Sequence, residues 1–166
     1  MYFIGIDPGL TGAIVILAEK GDTGLFYDTP ITQVKSGKKT KNEYLPSEMA
    51  GLLSGYTSQN CHVFIESVHS MPGQGVSSSF NFGKGFGIWI GILAALKLPY
   101  TLATPQAWKK LLMQGMKDKD AARIRAQELF PGCVSQLSRK KDIGRADALL
   151  IAEYGRRILK RQTEIS

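Results

Sequence analysis

Two acidic residues stand directly after short apolar runs, at positions where a β-strand would end. Asp7 follows the run 2–6 and precedes the turn dipeptide Pro8-Gly9. Glu66 closes a second run, 61–65, and a stretch rich in Ser and Gly comes after it. A single acid at such a position is typical of a turn cap. Two acids at predicted strand ends, each followed by a turn or loop, instead indicate a cleft that is lined by carboxylates at the edge of the sheet.

A third acid, Asp147, lies in a segment whose apolar residues repeat with a helical period. Asp147, Ile151, Tyr154 and Ile158 are spaced i, i+4, i+7 and i+11, which puts the carboxylate on the core-facing stripe of a predicted helix. It would lie in the first turns, where the helix N-terminus favours negative charge. A buried acid needs a basic side chain or a metal ion as its partner.

The chain is basic, with 21 Lys and Arg against 14 Asp and Glu and a net charge of +7. This imbalance predicts a polyanionic partner such as nucleic acid. A basic protein has little reason to gather carboxylates unless a divalent cation neutralises them, which is the electrostatic arrangement of metal-dependent phosphodiester cleavage. The basic residues form four clusters: Lys35, Lys38, Lys39 and Lys41; Lys109, Lys110, Lys117 and Lys119; Arg139, Lys140 and Lys141; and Arg156, Arg157, Lys160 and Arg161.

Length and composition predict one core. The 166 residues, 43% of them hydrophobic, suffice for a single domain over residues 1–166. No stretch reaches the roughly 18 uninterrupted apolar residues of a membrane helix. The N-terminus has neither the basic segment nor the cleavage site of a signal peptide. We therefore expect no membrane partner and a cytoplasmic location in a bacterial or phage-infected cell, with an organelle as the alternative.

Apolar runs and turn residues predict an α/β fold in which helices flank a mixed sheet. Strands are expected near 2–7, 11–18, 23–28, 61–66 and 100–103, and helices near 46–53, 82–96, 105–113, 118–130 and 144–160. A polar basic loop is expected from the third strand to about Tyr44, and another over 67–79. Asp118 is the predicted N-cap of its helix.

Three segments occur in the order and at the element positions of a nuclease family: Gly5-Ile6-Asp7-Pro8-Gly9, Phe64-Ile65-Glu66 and Ala146-Asp147-Ala148. On these segments the chain resembles, nearly end to end, the RuvC-type Holliday junction resolvases of the ribonuclease H-like superfamily. The stretches 81–89 and 104–109 are most similar to bacteriophage RuvC-like enzymes and the plant chloroplast resolvase. The resemblance implies a ribonuclease H-like fold with a five-stranded mixed sheet, and a structure-selective endonuclease that resolves Holliday junctions by paired symmetric nicks.

The resemblance also implies a metal site. Asp7, Glu66 and Asp147 match the family's metal-binding acids, which hold two Mg²⁺ or Mn²⁺ ions per active site and supply the oxygen ligands that such cations prefer. The bacterial enzyme commonly has His or Asp three residues before the last acid, where this chain has Gly144. Asp142 is the only nearby acid, and it is either the missing ligand, a group that supports the ligands, or a plain loop charge.

DNA contacts are the next implication of the resemblance. Lys109 or Lys110 resembles the family's active-site lysine, which binds the scissile phosphate, and we favour Lys109. The alternative is an ordinary lysine on a helix surface. The other candidates for DNA binding are Lys117, Lys119, Arg145, His69, and the aromatic residues Phe80 and Phe82, which would stack on bases or else pack in the core.

A homodimer is expected because two symmetric nicks need two active sites. In RuvC-like proteins the helix that corresponds to 82–96 helps to form the dimer interface. In this chain its Phe86, Trp89, Ile90 and Leu93 recur at helical spacing, and its glycines permit close approach, so this stripe is the expected interface. The alternative is that the stripe packs on the sheet of its own chain.

Three other functions are consistent with parts of the pattern. The segment 5–12 also resembles the first phosphate loop of actin-like ATPases and sugar kinases, but 166 residues cannot hold the two domains that those proteins need. A junction-binding protein without cleavage activity is suggested by Gly144, and metal-dependent cleavage would exclude it. The third is a nuclease that acts on other branched DNA or on RNA:DNA hybrid.

Overall fold

The computed structural model describes residues 1–57, 59–67, 75–116 and 120–165. The strands in this part of the chain are β1 (Tyr2–Asp7), β2 (Ala13–Ala18), β3 (Gly24–Asp28), β4 (Ile31–Ser36), β5 (Lys39–Tyr44), β6 (Cys61–Glu66) and β7 (Tyr100–Ala103). The α-helices are α1 (Pro46–Ser54), α2 (Val76–Ala95), α3 (Pro105–Leu112), α4 (Ala121–Leu129) and α5 (Ile143–Ile165). Two 3₁₀ helices, Pro131–Leu137 and Lys140–Asp142, precede α5.

Five of the strands form one mixed sheet in the order β3-β2-β1-β6-β7. β2 is antiparallel to both β1 and β3, whereas β6 is parallel to β1 and β7 is parallel to β6. The predicted α/β class with a five-stranded mixed sheet is confirmed. Ile6 of β1 lies opposite Ile65 of β6. Asp7 and Glu66, the next residues, therefore end adjacent parallel strands at the same edge of the sheet.

Apolar side chains cover both faces of this sheet, because successive strand residues point to opposite faces. On one face, Phe3 and Val15 belong to a buried cluster that includes side chains of α3, α4 and α5. On the other face, Ile4 and Ile14 pack with side chains of α1 and α2. The near-continuous apolar runs of β1 and β2 are thus those of strands that are buried on both sides.

Helix α5 and strand β1 approach each other backbone to backbone. A Cβ added at Gly5 would collide with the carbonyl oxygen of Ala148 and would lie 2.5 Å from the backbone nitrogen of Ala152. Further along α5, a Cβ at Gly155 would collide with the ring of Phe64 on β6. These two contacts fix the position of α5 on the sheet, and they thereby fix the position of Asp147 relative to the ends of β1 and β6.

The prediction of a basic loop before Tyr44 is wrong. The segment forms a two-stranded antiparallel hairpin, β4–β5, apart from the main sheet. Its two-residue turn is Gly37-Lys38, and Gly37 has a φ of +62°. All of β4 and most of β5 are exposed. A ribbon with no buried face does not need alternating apolar residues, so the usual sequence signal of a strand is missing.

The largest error in the helix boundaries concerns α2, which begins at Val76 rather than near Phe82. Its N-cap is Gly75, which makes no side-chain capping bond, and three serines follow Val76. The sequence therefore lacks a capping signal and resembles a loop. Helix α4 begins at Ala121, and the predicted cap Asp118 lies outside the described residues. In the described part of the chain, no helix combines the length and the apolar character needed to cross a membrane.

Candidate active site

Three half-buried carboxylates lie within electrostatic reach of one another at the carboxyl ends of β1 and β6. Asp7 ends β1, Glu66 ends β6, and Asp147 lies in the first turns of α5, which packs across β1. The charge of Glu66 acts on Asp7, and the charges of Asp7 and Glu66 act on Asp147. The structure thus places all three predicted acids in one electrostatic environment.

Burial raises the pKa of all three acids, and neighbouring carboxylates add to the rise at Asp7 and Asp147. Burial, followed by the charge of Glu66, raises the pKa of Asp7 from 3.8 to about 7. Burial, followed by the charges of Asp7 and Glu66, raises the pKa of Asp147 from 3.8 to about 8. Burial also raises the pKa of Glu66. A cluster of this kind costs free energy when it is ionised, and a bound cation would offset that cost.

The turn after β1 is held in one conformation around Asp7. The backbone N–H of Gly9 donates to Oδ1 of Asp7 at 3.3 Å, and the N–H of Gly12 donates to the Gly9 carbonyl at 2.9 Å. A Cβ at Gly12 would collide with the carbonyl oxygen of Asp7. The buried Tyr44 hydroxyl donates to the Asn81 carbonyl at 3.1 Å and lies 3.4 Å from that of Pro8. These contacts tie the turn to both the β4–β5 hairpin and α2.

Trp108 on α3 orients Glu66. Its indole N–H donates to Oε1 of Glu66 at 2.9 Å, and the Trp108 side chain is completely buried. The helix that carries it begins at Pro105, and the side chain of Thr104 caps it by accepting from the N–H of Ala107 at 3.2 Å. The sequence shows Trp108 within a segment that resembles the family, but its contact with Glu66 is visible only in the structure.

Lys109 supplies a positive charge to the cluster. Its ammonium group lies 5.1 Å from the centroid of the Trp108 ring, and its charge partly offsets the rise in pKa that burial causes at Asp7, Glu66 and Asp147. Lys110, the next residue on α3, is not among the groups that shift those pKa values. The electrostatic contacts therefore favour Lys109 over Lys110 as the lysine of this acid cluster.

A divalent cation fits the chemistry of this donor set. Three carboxylates supply the oxygen ligands that Mg²⁺ and Mn²⁺ prefer, and burial together with neighbouring carboxylate charge raises the pKa of Asp7 and Asp147. Among the described residues, however, no three acidic, histidine or cysteine side chains converge closely enough to form a ready-made metal site. Asp7, Glu66 and Asp147 would have to move closer together to share ions.

Comparisons with known proteins agree with the observed fold. Over 92 residues, 55% of the chain, the sequence is 36% identical to the chloroplastic Holliday junction resolvase MOC1 of Chlamydomonas reinhardtii, and it spans only 10% of the length of that relative. No family model matches the sequence. Two structures of Thermus thermophilus RuvC superpose with TM-scores of 0.57 and 0.56, and the first is in complex with a Holliday junction substrate. They are 13% and 16% identical to this chain, and each match covers 93% of it and 92% of RuvC.

The chain has the RuvC fold. The resemblance to RuvC-like resolvases and the expected ribonuclease H-like architecture are both confirmed.

Gly144 is the residue that the family resemblance matches to a His or Asp ligand of the bacterial RuvC enzyme. A Cβ there would collide with the carbonyl oxygen of Thr11 and would lie 3.0 Å from the Cα of Gly12. The turn that follows β1 therefore fills the space that a side chain at Gly144 would need. In this version of the RuvC fold, the close contact between the turn and α5 leaves no room for a ligand at that position.

Two other predicted site residues make ion pairs away from the three acids. The buried carboxylate of Asp142 accepts from the backbone N–H of Arg139 at 2.8 Å and from its guanidinium at 2.7 Å, which holds the pKa of Asp142 below its usual value. Asp142 is not among the charges that act on the acid cluster. Arg145 donates to both carboxylate oxygens of Asp28, at 2.6 and 2.9 Å. Both contacts stabilise the segment that leads into α5.

The aromatic candidates for DNA binding lie on the first turns of α2. Phe80 is 70% exposed and Phe82 is 39% exposed, so neither belongs to the core. Phe82 lines a cleft of about 210 Å³ together with Asp7, Thr11 and Tyr44. The candidates His69, Lys117 and Lys119 lie outside the described residues.

Proposed function

We propose that the protein is a metal-dependent endonuclease that resolves Holliday junctions by a pair of symmetric nicks. The observation that carries this proposal is the electrostatically linked trio of Asp7, Glu66 and Asp147 at one end of a RuvC fold. The sequence identity to a Holliday junction resolvase supports the choice of substrate. The net charge of +7 supports a polyanionic partner.

The proposed roles follow from the positions of the side chains. Asp7 on the central strand, with Glu66 and Asp147 beside it, would hold two Mg²⁺ or Mn²⁺ ions. Such ions supply an activated water and stabilise the leaving oxygen of a phosphodiester. Lys109 would bind the scissile phosphate and stabilise negative charge on it. Trp108 would keep one oxygen of Glu66 directed away from the other acids. Asp142 and Arg145 are not included, because each is engaged in an ion pair elsewhere.

A homodimer through α2 is part of the proposal, but on a different face from the expected one. Trp89 and Leu93 are completely buried in the core cluster of their own chain, and Phe86 and Ile90 pack against it. The interface predicted from that stripe is therefore replaced by the opposite side of the helix. There, Gly83, Gly87 and Gly91 are exposed at intervals of four residues, and a Cβ at any of them would meet nothing within 4 Å. This open face allows a second α2 to approach closely.

The test is a panel of labelled substrates of equal length: a four-way junction, a fork, a flap, a linear duplex and an RNA:DNA hybrid, each with and without Mg²⁺. We expect two symmetric nicks in the junction and little cleavage of the others. Asp7→Asn, Glu66→Gln and Asp147→Asn should each abolish cleavage and still bind the junction, since an amide keeps the shape but lacks the anionic ligand. Near-normal turnover in any of these variants would remove that residue from the site.

Gly144 supports a second candidate function, that of a protein that binds junctions without cleaving them. The absence of a side chain at that position removes one ligand that the bacterial RuvC enzyme commonly has. Binding of the junction without cleavage in Mg²⁺ or Mn²⁺ would favour this candidate. Preferential cleavage of the fork, the flap or the hybrid would instead favour a nuclease with a different substrate.

A further inference from the structure

A second cleft lies on the far side of the turn that follows Asp7. It has a volume of about 360 Å³, and its lining includes Thr11, Thr29, Arg139 and Lys141. The cleft at Asp7 shares Leu10 and Thr11 with it. The two clefts therefore meet at one turn, and a chain-like ligand that lies across Asp7 can continue into the second cleft.

The charges around this second cleft favour an anion. Its two acids are each held by an arginine, Asp142 by Arg139 and Asp28 by Arg145. Lys141 is exposed and adds a positive charge that no acid among the described residues balances by an ion pair. The side chain of Arg139 is 51% exposed while its partner Asp142 is 3% exposed, so the guanidinium keeps donors that face the solvent.

Thr29, in the wall of the same cleft, has an unsatisfied hydroxyl group. The residue is only 4% exposed, and its Oγ1 has no hydrogen-bond partner in the described part of the chain. Its backbone N–H donates to the Gly12 carbonyl at 3.0 Å, which ties it to the turn after Asp7. Buried polar groups without partners are uncommon and recur at functional sites. Thr29 therefore marks this cleft as a site with unused hydrogen-bonding capacity.

We propose that this cleft binds a backbone phosphate of the same DNA strand that is held at Asp7, close to the scissile phosphate. Lys141 and the free donors of Arg139 contact the phosphate oxygens, and Asp142 keeps Arg139 directed into the cleft. Because the two clefts meet at Leu10 and Thr11, this contact sets the register of the strand relative to the acids. The inference rests on the proposed nuclease function, and it adds a DNA contact to the one proposed for Lys109.

Lys141→Gln is the variant to test, with Lys140→Gln as its matched control. Both lysines lie in the same 3₁₀ helix and are exposed, but only Lys141 lines the cleft. Junction affinity is measured by fluorescence anisotropy in the Asp7→Asn background, over a range of salt concentrations. We expect Lys141→Gln to weaken binding at least fivefold and to reduce the slope of log affinity against log salt by about one, whereas Lys140→Gln changes affinity less than twofold.

A scan of junctions with a single methylphosphonate near the cleavage position locates the contact. Removing the charge of the contacted phosphate should weaken binding by the protein that keeps Lys141, and should have little further effect in Lys141→Gln. The inference would be overturned if Lys141→Gln and Lys140→Gln changed junction affinity equally. It would also be overturned if every methylphosphonate weakened binding by Lys141→Gln as much as it weakens binding by the protein that keeps Lys141. If the background protein binds no junction at all, the proposed function itself fails, and that result is distinct from the others.

Discussion

At Glu66, one carboxylate oxygen accepts a hydrogen bond from the indole of Trp108 at 2.9 Å. A carboxylate that is held in this way loses less freedom when it binds a cation, since one of its rotational states is already selected. The sequence reveals the acid and the tryptophan but not the contact, because the two residues are 42 positions apart and are joined only when β6 and α3 pack.

Trp108→Phe removes this hydrogen bond and keeps most of the aromatic volume. We expect the cleavage rate at saturating junction to fall about tenfold, about 1.4 kcal/mol of barrier, with junction affinity unchanged. Trp89→Phe is the matched control, because Trp89 is equally buried but its indole N–H has no partner in the described residues. Trp89→Phe should cost stability without slowing cleavage, and equal rates in the two variants would show that the Glu66 contact is irrelevant to catalysis.

Asp147→Asn should stabilise the metal-free protein at high pH. The pKa of Asp147 in the folded protein is about 8, against 3.8 for the free side chain, so the folded state is disfavoured as the acid ionises between those values. The asparagine variant avoids this loss. At pH 8.5 in EDTA its Tm should exceed that of the wild type by about 2 °C or more, the shift for about 1 kcal/mol in a chain of this size.

The difference in Tm between Asp147→Asn and the wild type should disappear below about pH 3, where the wild-type acid is mostly protonated in both states. Excess Mg²⁺ at pH 8.5 should also reduce it by stabilising the wild type. Asp22→Asn, an exposed acid outside the cluster, is the control and should change Tm little. A wild-type protein that is more stable than Asp147→Asn in EDTA at pH 8.5 would contradict the account of buried, mutually repelling acids.

At the scale of elements, the sequence predicts best the strands that are buried on both faces. β1 and β6 match their expected bounds, because runs rich in Ile, Val and Phe between turn residues have few alternative structures. The sequence does not predict the β4–β5 hairpin or the first turns of α2. Their residues are polar and exposed, and their structure depends on tertiary contacts such as the ion pair between Glu43 and Lys84, which local sequence does not encode.

Gly5→Ala tests whether the close approach of α5 and β1 positions the site. The added Cβ would meet backbone atoms of Ala148 and Ala152, which cannot rotate away. We expect a loss of stability of about 2 kcal/mol or more and a loss of cleavage, because α5 carries Asp147. Gly51→Ala in α1, where a Cβ meets nothing within 4 Å, should instead stabilise the protein by about 0.5–1 kcal/mol. Urea unfolding and the junction assay measure both effects.

At the scale of the whole molecule, binding of a branched substrate would depend on where the two clefts lie relative to the open face of α2 formed by Gly83, Gly87 and Gly91. The acids lie at one end of the sheet, whereas the glycines of α2 lie on its outer side, away from the core. Neither relation can be deduced from the sequence, since both depend on how α2 rotates about its axis when Trp89 and Leu93 enter the core.

Gly87→Glu is expected to separate the proposed dimer. A charged side chain on the open face would prevent close approach of two α2 helices without disturbing the core of the chain. Light scattering should give twice the chain mass of 18.2 kDa for the wild type and one chain mass for Gly87→Glu, which should also nick only one strand per binding event. Gly51→Glu, on the exposed side of α1, serves as the control. A monomeric wild type, both free and on a junction, would refute the two-site mechanism.

The bond between Trp108 and Glu66 also has an optical consequence. The chain has only two tryptophans, both of them buried, so its ultraviolet-excited emission comes from two shielded indoles. One of them is bonded to a carboxylate of the acid cluster, so a change of charge at Glu66 alters the electric field across that indole and shifts its emission. In a Trp89→Phe background, the remaining tryptophan fluorescence comes from Trp108 alone. The protein thus contains an intrinsic fluorescent probe of its acid cluster that works without DNA and without turnover.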